Sequence, residues 1–182
     1  WKLLLNFLQL QLHQNLEDVA NQNAVALGNK IQSNYLLLEG LADKMHGVTP
    51  ETIEETLQSF TPFIDDYELK RFAFCFPDGT SYSTDGGAAD LSYRDFFKRG
   101  MEGKATISGV LSDALEESHG LVNVMTIPIF DDNGNVEGVF GLTYNTQTFN
   151  NSLQIDCFAG RGYSCAINED GQIMVATGSN IL

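Results

Sequence analysis

Three histidines (His13, His46, His119) and three cysteines (Cys75, Cys157, Cys165) are the side chains here best able to move a proton, attack a carbonyl or hold a metal. Their spacing suits none of these tasks. No cysteine pair is spaced as CxxC, and no histidine stands at metal-ligand distance from a cysteine, so neither a metal nor another cofactor is expected. The patterns G-x-S-x-G, H-E-x-x-H and the phosphate-binding P-loop are missing. A Ser/His/Asp triad stays open, because its members come from anywhere in a chain. Asp131-Asp132-Asn133-Gly134 starts like a calcium loop but lacks the acidic ligand at the far end, and reads as a tight turn. Gly86-Gly87 and Gly160-Arg161-Gly162 read as turns, and Asn150-Asn151-Ser152 matches a glycosylation sequon by chance. Cys75, inside FAFCF, reads as a buried and inert strand residue. A Cys157–Cys165 bridge stays open, since oxidising compartments permit disulfides without requiring them.

Arg94 is the better candidate for chemistry. Ser92 is expected to cap a short helix, with Asp95 three residues on as in a capping box that has Asp in place of Glu. Arg94 then stands near a helix N-terminus, where the dipole and the guanidinium both favour an anion. The competing reading is a surface arginine, or one paired with any of the chain's 24 acidic residues.

The overall charge of −14, with ten scattered Lys and Arg, excludes a phosphate-tracking surface, and no nucleic-acid partner is expected. Hydrophobic content of 43 % and charged content of 19 % are ordinary for a folded chain, and 182 residues suit one domain, or one domain plus a fragment. The chain opens without Met, at Trp1 in an apolar run, and reads as excised from a longer protein. Its first twelve residues are too short and interrupted to span a bilayer, but suit the tail of a helix leaving one.

The elements that must position any site begin with one long helix over residues 1–46. Apolar residues recur at steps of three and four, through Trp1, Leu5, Leu8, Leu12, Leu16 and Val19 to Leu38, Leu41 and Met45. Its length, roughly 65–70 Å, exceeds a compact domain, so one end projects or pairs with a partner helix. Asn23 interrupts the stripe, either as a register-setting residue in a coiled coil or as a solvent-facing one. Thr49-Pro50-Glu51 opens a second helix that runs to about Phe60. The alternation of Phe72, Phe74 and Phe76 with Ala73 and Cys75 marks a strand, Pro77-Asp78-Gly79 turns it, and residues 80–84 return. After the loop 85–89 and the Arg94 helix come strands at 105–111, 121–130 and 136–145, a helix at 146–154, and a last hairpin of 163–168 and 172–176. Short strands joined by tight turns imply an α+β fold, an antiparallel sheet with helices on one side. There is no βαβ alternation.

In this order and spacing, several short pieces resemble the Cache superfamily of sensors, in particular its double-Cache type. They are Asp78-Gly79, Ser83, Asp90-Leu91-Ser92, Arg94, Phe96-Phe97, Gly103-Lys104, Ile107-Ser108, Pro128-Ile129, Asp131, Gly134 and Gly138-Val139. The resemblance covers about residues 1–155. It implies a PAS-like antiparallel sheet flanked by helices with a long N-terminal helix, placed outside the cell membrane that anchors the full-length protein. Three regions follow: the membrane-proximal dimerisation helix 1–46, the membrane-distal sensor module 47–155, and the start of a second, incomplete module at 156–182.

The resemblance also implies a pocket between the sheet and the Arg94 helix. Phe96 and Phe97 stand where amino-acid-binding members carry aromatic pocket residues. Ser83, Ser108, Asp113, Asn123, Thr126 and Thr143 are the remaining candidate pocket residues. Amino-acid-binding members tend to carry an acidic residue just after the G-V-x-G strand, and Gly141-Leu142-Thr143-Tyr144 stands there instead, so Thr143 cannot balance a ligand ammonium. A small carboxylate, a neutral metabolite or no ligand stay open. The expected function is that of a non-enzymatic sensing domain, homodimeric through its first helix. It would signal to a cytoplasmic diguanylate cyclase, histidine kinase or chemoreceptor module. The alternatives are a ligand-free dimerisation module and, more remotely, a hydrolase.

Overall fold

The computed structural model describes residues 1–116, 119–152, 165–167 and 171–176. Helix α1 runs Lys2–Ala42 and tightens into a 3-10 turn at Asp43–Met45. It is about 60 Å long. Gly47, with φ of +67, ends it in a conformation only glycine takes cheaply. Residues 1–18 are exposed throughout, whereas Asn34, Leu37, Leu38 and Leu41 are buried against the sheet. Asn23 belongs to neither environment expected of it: half-buried, it lines a groove with Cys165, Ala166 and Ile167 of the last hairpin.

The second helix starts later than the Thr49-Pro50 signal implies. Residues 49–52 form a turn closed by Thr52 N–H donating to Thr49 O, and α2 spans Ile53–Gln58. The Thr52 hydroxyl accepts from Thr49 N–H and is spent on that turn. A further helix, α3 at Pro62–Asp66, was not anticipated, although Pro62 occupies the first turn where proline costs nothing.

Seven strands form one antiparallel sheet. In chain order they are β1 Arg71–Cys75, β2 Thr80–Ser83, β3 Ala88–Asp90, β4 Thr106–Ile107, β5 Leu111–Ser112, β6 Leu121–Phe130 and β7 Val136–Asn145. The spatial order is β3-β2-β1-β7-β6-β4, with β5 also paired to β6. The expected strand at 105–111 is thus two short strands, and part of the expected loop 85–89 belongs to β3. Helix α4 spans Asp95–Met101 and α5 Thr146–Ser152.

Period-two alternation divides the sheet into two faces. Phe72 and Phe74, Met125 and Ile127, and Phe140, Leu142 and Tyr144 meet Leu38, Met45, Ile53, Leu57 and Phe60 in the main core. Phe60, Phe72 and Phe140 pack with ring centroids 5.6–5.9 Å apart. Such pairs contribute about 0.5–1.5 kcal/mol each beyond their burial. Gly138 is required here, because a Cβ would stand 2.1 Å from Phe74 Cζ. Cys75, Leu91, Phe97 and Val139 form a smaller core on the opposite face, under α4. Helices therefore cover both faces, not one, because α4 brings an apolar residue of its own, Phe97, to the second face.

Strands β8 Cys165–Ile167 and β9 Ile173–Ala176 pair separately. Met174 and Val175 reach into the main core. Asn123 Nδ2 and Asn150 Nδ2 donate to the carbonyls of Met174 and Ala176, at 2.9 and 2.8 Å. The Cys157–Cys165 pairing lies outside the described residues, since Cys157 is not among them.

Candidate functional site

Helix α4 begins at Asp95 with Arg94 itself as the residue before its first turn, so the capping box at Ser92 does not form. The cause is local. Asp90 Oδ1 accepts from Ser92 N–H at 2.8 Å and Arg94 N–H donates to Leu91 O, a turn that competes with a helical start at Ser92. With only seven residues in α4, any attraction for an anion rests on the guanidinium and not on a dipole.

Between α4 and the sheet lies a cavity of about 40 Å3. Its floor is the small-residue face of the central strands: Ala73 and Cys75 of β1, Val122 and Val124 of β6, Val139 and Gly141 of β7. Gly141 keeps the floor low, since a Cβ there would meet Met125 O at 2.7 Å. Leu91 and Phe96 close one side, and Leu111 and Ala114 another. A space of this size holds about three waters. Arg94, Phe96 and Leu111 also line an adjoining cleft of about 240 Å3, which reaches Ser108 and Gln172. Arg94 stands between the two. Its Nη2 donates to Ser112 O at 2.6 Å, and its guanidinium lies 5.0 Å from the Tyr93 ring centroid.

The polar end of the cavity holds a group the sequence reading missed. Arg71 is 1 % exposed and is the largest fully buried side chain of the described residues. Its Nη1 and Nη2 donate to Asp113 Oδ1 and Oδ2, at 3.0 and 2.6 Å. Asp113, 3 % exposed, also accepts from Lys70 Nζ at 2.7 Å and from Leu115 N–H at 3.0 Å. Lys70 in turn holds Glu116. Arg71 Nε lies 2.8 Å from Asp85 Oδ2, but its N–H points off that line, so this contact is ionic and the donor is unsatisfied. Arg71 thereby ties together the loops that follow β2 and β5. Burial pushes the Asp113 carboxyl up, but hydrogen bonds from Lys70 and Arg71 outweigh it and hold the group below the usual carboxylate value. Burial pushes the Cys75 thiol up to about 12, so it stays protonated in the cavity floor.

Of the residues singled out from sequence, Arg94, Phe96, Asp113, Thr126 and Thr143 line this cavity. Phe97 is core, packed with Cys75, Leu91 and Val139. The Ser83 hydroxyl shares its one proton between Asp85 Oδ1 and Gly87 O, fixing the loop after β2. The Ser108 hydroxyl accepts from Val124 N–H and donates to Gly109 O, bridging the gap between β4 and β5. Asn123 points to the other face, where it accepts from Thr146 Oγ1 and holds β9. Thr126 lines the cavity, but its hydroxyl is 2.7 Å from that of Thr106. Among the described residues, no cluster of His, Cys, Asp and Glu is arranged to hold a metal, and no helix is long and apolar enough to cross a membrane.

No family model matches the sequence, and no curated protein matches it significantly. Solved structures do match the fold. The sensory domain of the Campylobacter jejuni chemoreceptor Tlp3 with isoleucine bound superposes at a TM-score of 0.69 and 12 % identity, over 90 % of this chain and 69 % of that one. The ligand-binding domain of the Pseudomonas aeruginosa amino acid chemoreceptor PctC, in complex with GABA, gives 0.70 and 16 %, over 89 % and 74 %. That of PctB with L-Arg gives 0.65 and 23 %, over 87 % and 66 %. At these identities the likeness establishes the fold: the chain has the PAS-like α+β architecture of chemoreceptor sensory domains, as the Cache resemblance implies.

Proposed function

We propose that this chain, built on the fold of the chemoreceptor sensory domains, is the extracytoplasmic small-molecule sensing part of a membrane-anchored receptor and performs no catalysis. The observation that carries this reading is the cavity between α4 and the sheet, apolar in its floor and with the Arg94 guanidinium at its mouth. Few polar groups converging on an apolar concavity is the usual construction of a ligand site. Arg94 spends one of its donors on Ser112 O and is suited to a carboxylate. A ligand of a few heavy atoms suits the cavity, extended into the adjoining cleft past Phe96 if larger.

The residues about 47–155 would form the sensor module, with 156–182 starting a second one. α1 would pair with a second copy and carry a shift of the sheet toward the membrane, since a ligand moves a conformational equilibrium only through its differential affinity for the two states. A diguanylate cyclase, a histidine kinase or a chemoreceptor signalling module would each serve as the output. The hydrolase alternative needs a serine within reach of an imidazole. His46 is instead bonded to Glu137 and Asp132, and His119 to the carbonyl of Asp113. The small volume and the self-paired Arg71 favour one second reading, a ligand-free dimerisation module.

The test is thermal unfolding of the purified chain against small carboxylates, amino acids, amines and nucleobases. A ligand at a hundred times its dissociation constant stabilises by about 2.7 kcal/mol. That raises the midpoint by roughly 5–10 °C in a chain this size. A shift that disappears in Arg94→Ala is the expected result. No shift across the panel overturns sensing by this chain in favour of the dimerisation module.

A further inference from the structure

We infer that Arg71 is a specificity-determining residue: it acts as a built-in cation that occupies the carboxylate a ligand ammonium would need, so that the cavity selects carboxylates without an amino group. This rests on the reading of the cavity as a ligand site.

An ammonium buried in an apolar cavity must be met by a carboxylate, because the desolvation of an isolated charge is prohibitive. Among the described cavity residues the acidic side chain is Asp113, with Asp85 beyond it on the loop after β2. Both oxygens of Asp113 are committed: Oδ1 to Arg71 Nη1 and Leu115 N–H, Oδ2 to Arg71 Nη2 and Lys70 Nζ. Asp85 Oδ1 accepts from the Ser83 hydroxyl, and Oδ2 faces Arg71 Nε. Arg71 stands on β1 directly opposite Thr143 of β7, so the cation is fixed in the sheet at the place where the neighbouring strand offers only a hydroxyl. Inside this cavity a ligand ammonium would meet the Arg71 guanidinium and no uncommitted carboxylate, since Asp95 lines only the adjoining cleft, where its side chain is 81 % exposed. A ligand carboxylate meets Arg94, which lines the cavity and spends one donor on Ser112 O.

The experiment is calorimetric titration of the purified chain and of Arg71→Leu with propionate, L-alanine and ethylamine. These probes carry a carboxylate, both charges, and an ammonium on bodies of similar size. The parent is expected to bind propionate at least tenfold more tightly than L-alanine and to ignore ethylamine. In Arg71→Leu the ratio of L-alanine to propionate affinity should rise at least tenfold, and ethylamine should bind. A folded variant with an unchanged ratio, or a parent that binds L-alanine as tightly as propionate, overturns the assignment while leaving the cavity a ligand site. A parent that binds none of the three, beside a variant that binds ethylamine, keeps Arg71 as the blocking cation and removes the carboxylate reading. Binding to neither protein overturns both. If Arg71→Leu does not fold, Asp113→Asn tests the pair from the other side. Arg71 is then left to accept a second carboxylate, and malonate affinity relative to propionate should rise at least tenfold; an unchanged ratio overturns the inference.

Discussion

Tyr144 donates its phenol hydrogen to Asn34 Oδ1 across 2.9 Å, joining the last turns of β7 to a polar residue that α1 buries completely. The same hydroxyl lies 3.3 Å from Tyr67 O, and Asn34 Nδ2 stands 3.3 Å from Met125 Sδ. Burial pushes the phenol up to about 12, so it stays a donor at any physiological pH. Thr143, one residue earlier, faces the cavity. Strand alternation thus puts a cavity wall and a helix lock on successive residues of β7, and a shift of that strand on ligand binding would be felt at α1.

Tyr144→Phe should cost about 1–3 kcal/mol, since it leaves a buried amide oxygen unpaired. Asn34→Leu alone should cost a similar amount. The double variant should be less destabilised than the sum, by about 0.5–3 kcal/mol, because the two residues share one bond. Denaturant unfolding of the four proteins measures the coupling. Strict additivity would show that the bond does not hold the helix.

Asp113→Ala should destabilise by about 3–5 kcal/mol, because it strands the Arg71 guanidinium in the sheet without its charge partner. The pair Arg71→Met with Asp113→Leu should cost much less, since it removes both charges together. The Asp113 carboxyl is depressed in the fold. Its contribution is therefore complete above the unfolded carboxylate value of about 3.9 and is lost as pH falls through the lower folded value. Acid unfolding of Asp113→Asn should lack that component, which a pH series of melting temperatures below about 5 resolves.

Arg71 illustrates where reading the sequence stops. The hairpin of β1 and β2, and both long strands β6 and β7, were legible because period-two alternation and the turns at Asp78-Gly79 and Asn133-Gly134 leave little choice. Arg71 has the parity of Ala73 and Cys75, and so belongs to the cavity face. It was passed over because strand β1 was recognised from the phenylalanines on the other face, and its partner Asp113 lies 42 residues away. Asn123 failed for the reverse reason: its parity is that of Met125, on the α1 face, and strand membership alone did not say so. The start of α4 slipped by two residues because Asp90 offered the backbone a turn that competes with the Ser92 cap. α3 and β3 are too short for periodicity to reveal.

His46, at the end of α1, is held between two carboxylates of the β6–β7 end of the sheet: Glu137 Oε1 at 2.5 Å from Nδ1 and Asp132 Oδ1 at 3.2 Å from Nε2. The hydrogen bond that the ring donates to Glu137, then the one it donates to Asp132, raises the imidazole above its ordinary value. A raised folded value means the ion pairs contribute fully below about 6.5, the unfolded value, and are lost as pH climbs through the folded one. Melting temperature should fall across that window in the parent, and the fall should be absent in His46→Gln. Equal slopes in the two proteins would place the titrating group elsewhere.

Residues 1–18 of α1 are exposed, and Leu5, Leu8, Leu12 and Leu16 recur on it at steps of three and four with 44–55 % of their surface in solvent. Helices in proteins draw most of their stability from packing an apolar face, so a stripe left outside the core of the described residues would draw stability from a second copy. Leu8→Glu with Leu12→Glu should therefore lower the dimer fraction at least tenfold in sedimentation equilibrium. Its thermal midpoint at high dilution should stay within about 2 °C of the parent's, because neither side chain contributes to the core around Phe72 and Phe140. Dilution separates the outcomes. If parent and variant sediment alike as monomers over the whole concentration range, the stripe does not pair copies of this chain, and a shift of the sheet would have to leave the domain along a single α1.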